Sequence, residues 1–251
     1  MYFSPAHRET DLRVLRQLIR DYPLGTIVTG IPSAKHPFLQ VSHIPFVLYV
    51  EDESSETEKG TLRGHINRQN AQSQAIIEAL TSRPTPGNIL EQDVLVVFTS
   101  PDHYVTPRFY TETKPTTGKV VPTWNYAAVQ VYGRAKIYFD SKSEETSQFL
   151  QKHLADLSYQ CETKIMGYTG GDTPEDWKLS DAPERYIDLL KKSIIGIEIA
   201  VDRLEGKFKM SQERDHGDRQ GVIQGFSTLQ TEGASTVGRI IKERSDLKDK
   251  L

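Results

Sequence analysis

Between Thr117 and Asp140 the chain reads TGKVVPTWNYAAVQVYGRAKIYFD, and from Val129 onward Val, Val, Gly and Ala alternate with Gln130, Tyr132, Arg134 and Lys136. Period-two alternation rich in β-branched and aromatic residues predicts a long, half-buried strand. Trp124, Asn125 and Tyr126 at its entrance carry a flat ring, an amide and a hydroxyl, which suit a planar heteroaromatic ligand. The same three residues also suit plain core packing, and from the pattern alone both readings stay open.

The rest of the chain supplies the surroundings of that strand. Leu12, Leu15, Leu18 and Ile19 recur at helical spacing after a candidate cap at Thr10, and Pro23 ends the helix. Strands are predicted at Gly25–Thr29 and Phe38–Val50, the second placed at a sheet edge or bulge because Pro45 donates no hydrogen bond. Glu51–Gly60 is an acidic hairpin loop. A short strand from Thr61 to Gly64 is followed by His65, Arg68 and Asn70 at the start of a helix over Ala71–Leu80. Glycine, histidine, arginine and asparagine at a helix entrance suit a phosphate, although an arginine there is commonly a plain surface residue.

Beyond the breaker-rich loop Thr81–Asn88, the apolar run Val94–Phe98 predicts a deep strand. Ser100–Tyr110 reads as a rim. Ser141 and Glu144 suggest a capping box for a helix reaching Cys161. A second helix starts near Asp181, Pro183 and Glu184 with Tyr186, Leu189 and Leu190 inward, and a last long strand spans Ile194–Met210. Val222, Ile223, Phe226 and Leu229 predict a terminal helix, and residues 230–251 a charged tail that is helical or frayed.

Composition narrows the function classes. The 251 residues carry 37% hydrophobic and 26% charged residues, a globular balance for one large domain or two small ones. A formal net charge of -3 gives no general attraction to nucleic acid or anionic lipid. One cysteine, Cys161, excludes an intrachain disulfide, and with no signal-like segment at the start and no membrane-length apolar run a cytosolic protein is expected. Glycine-rich phosphate loops are absent, and the seven histidines show no metal-ligand spacing, so no metal site is expected.

Several motifs together resemble one family, the PaiB-like proteins, which have the FMN-binding split-barrel fold and are often described as negative transcriptional regulators. The carrying residues are Tyr22–Thr26 with Val28 and Thr29; Ser42-His43-Ile44-Pro45-Phe46; Leu62, Gly64, His65, Arg68 and Asn70; Val94–Phe98; GKVVPTWNY from Gly118; Gly196-Ile197-Glu198; and LEGKFKMSQ from Leu204. The resemblance implies an α+β, mainly β, split β-barrel with flanking helices, as one domain over residues 1–229. It also implies a homodimer with the cofactor pocket at the subunit interface. By that resemblance His65, Arg68 and Asn70 hold the FMN phosphate and Ser42, His43 and Ile44 present backbone groups to the ring. Lys119, Trp124 and Asn125 contact ring or phosphate, and Lys207, Lys209 and Gln212 contribute from the late motif.

The activity implied is that of a flavin-dependent oxidoreductase or flavin-reductase-like protein. No acid or base is assigned, His65 and Tyr126 being only candidates. Two alternatives accompany it: a transcriptional regulator, which finds no helix-turn-helix or basic stripe here, and a haem protein with His43 or His65 as axial ligand.

Overall fold

The computed structural model describes residues 2–84 and 87–250. In chain order its elements are β1 (Arg8–Glu9), α1 (Leu12–Asp21), β2 (Leu24–Gly30), β3 (Leu39–Tyr49), β4 (Thr61–Asn67), α2 (Ala71–Thr81), β5 (Ile89–Thr99), β6 (His103–Val105), α3 (Thr113–Thr117), β7 (Thr123–Tyr138), α4 (Glu144–Gln160), α5 (Glu184–Ser193), β8 (Ile194–Lys209), α6 (His216–Ser227) and α7 (Glu232–Lys248). Thr85 and Pro86, inside the loop expected over Thr81–Asn88, lie outside the described residues. The chain forms two compact units, one of Ile19–Phe98 and Gln130–Leu204, the other of Met1–Leu18, Thr99–Val129 and Glu205–Leu251.

The first unit is a closed antiparallel barrel with flanking helices. Its six strands follow the order β8-β4-β3-β2-β5-β7, and β7 pairs back onto β8. Alternation fills it: Phe46, Leu62, Val96, Val131, Ile197 and Ile199 are buried, and Phe46 meets Phe98 edge-on at 5.8 Å. Closure requires glycine at Gly133, where a Cβ would lie 2.0 Å from the Ala200 carbonyl oxygen.

Pro45 does not mark a sheet edge, because β3 runs between β2 and β4. It stands where pairing changes hands: Leu39–Pro45 pair with β2, and pairing with β4 begins at Phe46. A residue without an N–H costs little at that junction. The strand at Thr61 also runs past Gly64 to Asn67, because Leu62, Gly64 and Ile66 continue the inward alternation. His65 is therefore a strand residue. Val94–Phe98 is buried on one face only, Leu95 and Val97 being half-buried.

The helices differ from their expected outlines at the ends. Asp11 rather than Thr10 accepts the Arg13 amide, at 2.9 Å, and Ser143 rather than Ser141 caps α4. In α5 only Ile187 is buried, while Tyr186, Leu189 and Leu190 are exposed.

In the second unit β1 pairs with the end of β8 and β6 with the start of β7. The charged tail is the helix α7, whose Ala234, Val237, Ile240 and Ile241 are buried. Arg219 on α6 reaches across to α7, donating from Nε to Ser245 Oγ at 3.0 Å and pairing with Asp249. Buried contacts along its length make this segment an ordered helix although it carries many charged residues.

Candidate functional site

In the barrel unit the motif from Leu62 to Asn70 lies on β4 and on the turn into α2. Since alternate strand residues face opposite ways, Arg63 and His65 project to the outer face, and α4 covers them. His65 Nδ1 lies 3.1 Å from His153 Nε2, so the two imidazoles share a hydrogen bond. Burial pushes the pKa of His65 down, and burial together with the neighbouring imidazole holds His153 at about 3. Around them Arg63 donates to Glu198 at 2.7 Å, Tyr138 donates to the same carboxylate at 3.2 Å, and Tyr49 pairs with Asp156. Phe149 stacks on Tyr138 at 3.8 Å and presses on β8 where Gly196 has no Cβ.

Arg68 leaves β4 differently. Nε donates to the Lys192 carbonyl at 3.2 Å, and Nη2 to those of Phe139 at 2.6 Å and Ile194 at 3.4 Å. The guanidinium thus joins the end of β4 to β8 and the residue after β7, and among the described residues Nη1 has no partner. Asn70 caps α2: Oδ1 accepts the Gln72 amide at 2.8 Å, and Nδ2 donates to Ser42 Oγ at 3.2 Å. Gln72 follows inward, donating to Thr29 Oγ1 at 3.0 Å and the Gln40 carbonyl at 3.3 Å. The motif is therefore divided, with Ser42 and Asn70 brought together, Arg68 across the strand ends, and His65 half-buried under α4 against His153.

On β3, Ile44 is buried and His43 exposed, as alternation requires. The backbones of Ser42, His43 and Ile44 pair with Ile27, Thr26 and Gly25 of β2. Their opposite edge has no strand partner among the described residues, because β4 joins only at Phe46.

Among the clefts on this unit two bear on the motif. One, about 870 Å³, runs over the outer wall between Thr61, Arg63, Ile89, Asp93, Arg134, Lys136, Glu198, Ala200 and Asp202, none of them an expected site residue. The other, about 430 Å³, lies beside α2 and is lined by Lys35, His36, Arg68, Gln69, Gln74, Ile77, Glu78 and Thr81. Lys35 and His36 sit in the aperiodic loop between β2 and β3, where no pattern marks them.

The remaining expected residues belong to the second unit. Asn125 is fully buried and bonds to Ser211, with Nδ2 2.9 Å from Oγ. Ser211 itself holds a left-handed φ of 63°, a conformation this side-chain bond secures. Trp124, on the other face of β7, is 53% exposed and meets Tyr104 edge-on. Lys119 is exposed in the turn after left-handed Gly118. Lys209 bonds to Thr123, Lys207 to the Tyr2 carbonyl at 3.2 Å, and Gln212 Oε1 accepts the Met210 amide at 2.7 Å. The late motif thus ties β8 to its own surroundings.

A family model described as "Putative FMN-binding domain" matches residues 1–203. The chain belongs to this family. The PaiB-like resemblance read from the motifs is thereby borne out. An uncharacterized protein of Aspergillus fumigatus is 54% identical over 260 residues, covering 100% of both chains. The protease synthase and sporulation protein PAI 2 of Bacillus subtilis is 25% identical over 249 residues, covering 97% of this chain and 98% of its own. Among solved structures, a conserved hypothetical protein of Mycobacterium tuberculosis superposes with a TM-score of 0.48 at 11% identity, covering 86% of this chain and 95% of its own.

FMN carries a phosphate dianion, a ribityl chain and a ring edged with hydrogen-bonding groups. Arg68 offers a fixed guanidinium with an unused arm, and β3 offers an open backbone edge at Ser42–Ile44. These residues fit the group. Among the described residues no three histidines, cysteines or carboxylates gather to hold a metal, and no helix is long and apolar enough to cross a membrane.

Proposed function

We propose that this chain binds FMN and works as a flavin-dependent oxidoreductase or flavin-reductase-like protein. Membership of an FMN-binding family over residues 1–203 carries the reading. In it Arg68 contacts the phosphate, Asn70 and Ser42 hold the turn that carries it, and the free edge of β3 at Ser42–Ile44 receives the ring. Bound flavin supplies the redox chemistry, and the chain supplies orientation and electrostatics. A fixed guanidinium suits the task because little freedom is lost when the anion arrives.

Haem finds no support in the family match, which is to an FMN-binding domain. A transcriptional role would need a cationic surface for DNA, which the net charge of -3 does not favour. The reading includes a homodimer, supported by Leu24, Leu39 and Val41, which stand 61%, 68% and 57% exposed on the outer face of β2 and β3. The single cysteine suits a cytosolic setting.

The test is to incubate purified protein with FMN and pass it through a desalting column. Flavin absorbance should travel with the protein and be released on denaturation. Protein that emerges colourless at micromolar concentration, with all the FMN in the small-molecule fraction, contradicts the reading.

A further inference from the structure

The cleft beside α2 contains charge that the sequence motif did not lead to. Ser33 Oγ donates to Glu78 at 3.0 Å and accepts the amides of Lys35 at 3.1 Å and His36 at 3.2 Å. This turn fixes the loop against α2 and turns the only acid of the cleft lining toward a hydroxyl. The Lys35 side chain is exposed and its ammonium has no partner among the described residues. Arg68 enters the same cleft with its guanidinium oriented by three carbonyls, and the Gln69 and Gln74 amides lie beside it, 3.3 Å apart. Two cations thus share one cleft of about 430 Å³, within the size range of small-molecule sites.

His65 does not supply the second cation, because its half-buried ring is bonded to the buried imidazole of His153 and it does not line this cleft. We propose that the phosphate of the flavin sits in this cleft, held between Arg68 and Lys35, with His36 beside it. The inference rests on the FMN reading above and adds the residue that completes the anion site. A phosphate dianion can accept from a rigid guanidinium arm and from a flexible ammonium at once, and a lysine on a loop can close on it after it arrives.

Equilibrium titration with FMN and with riboflavin, followed by flavin fluorescence, tests the assignment in wild type, Lys35→Ala and Lys35→Arg. Loss of one charge-assisted contact should weaken FMN about tenfold in Lys35→Ala. Riboflavin affinity and the melting temperature should not change, and Lys35→Arg should keep most of the FMN affinity. Millimolar inorganic phosphate should compete with FMN in the wild type and much less in Lys35→Ala. An unchanged FMN affinity in Lys35→Ala, or an equal loss for FMN and riboflavin, overturns the assignment. Wild type that binds neither ligand overturns the FMN reading itself and the assignment with it.

Discussion

Two regions reached from the same strand show how differently a short motif can be used. Beneath α4, Arg63 and His65 enter a hydrogen-bonded cluster with Glu198, Asp156, Tyr49, Tyr138 and His153, closed around His153 and open to the outer cleft at Arg63 and Glu198. Beside α2, three residues further along from His65, Arg68 opens on a cleft with Lys35 and His36. In the closed region burial keeps both imidazoles neutral, so their role is packing and hydrogen bonding. In the open region Lys35 and Arg68 line a cleft that opens to solvent. Three residues of chain, and the change from strand to turn, separate a histidine packed under α4 from an arginine that lines a cleft.

The sharpest probe of the open side is Arg68→Ala, because this guanidinium both clamps three carbonyls and lines the cleft. Losing hydrogen bonds from a charged donor to three carbonyls should cost about 3 kcal/mol in denaturant unfolding, and FMN binding should weaken as well. A loss of FMN affinity with stability intact would mean that the carbonyl clamp contributes little. Gly196→Ala probes the closed side alone. Its Cβ would fall 2.4 Å from the Phe149 ring, which Tyr138 holds from behind, so about 2 kcal/mol of stability should go through overpacking. Flavin affinity measured below the melting transition should stay at the wild-type value.

Acid tests the same cluster. The folded pKa of His153 lies near 3, below the ordinary 6.5, so between those values the unfolded chain binds more protons than the folded one. Stability should therefore be full above pH 6.5 and decline as the pH falls toward 3, by up to ~1.4 kcal/mol per pH unit for this histidine. In His153→Phe that part of the slope should disappear from urea titrations at successive pH values. A slope unchanged by the substitution would assign acid sensitivity to other groups. The smallest effect is expected of Asn70→Ala, about 1 kcal/mol for a lost helix cap, with a modest loss of FMN affinity as Ser42 and the turn loosen.

Much of this arrangement was legible from the residues, for identifiable reasons. The long strand β7 announces itself by alternation and β5 by the apolar run Val94–Phe98, and the runs VVPTWNY and LEGKFKMSQ point most specifically to the family. What alternation could not reveal was where β4 stops. Gly64 resembles a strand end, yet it lies opposite Phe46, whose ring would meet a Cβ there at 2.9 Å, so the strand continues on a glycine chosen for packing. That continuation carries His65 under α4. The pair at Trp124 and Asn125 shows the same limit, because one step of period two leaves the indole exposed and buries the amide against Ser211. Lys35 and His36 left no signal, since an aperiodic loop acquires meaning only when Ser33 and Glu78 bring it to α2.

The most direct test of the account compares FMN with riboflavin on wild-type protein in one equilibrium titration. Saturable binding of one FMN per chain, with riboflavin at least tenfold weaker and the difference shrinking as salt is raised, is the predicted result. Equal affinity for the two flavins would contradict a phosphate held by fixed cations, and no binding of either would contradict the flavin reading altogether.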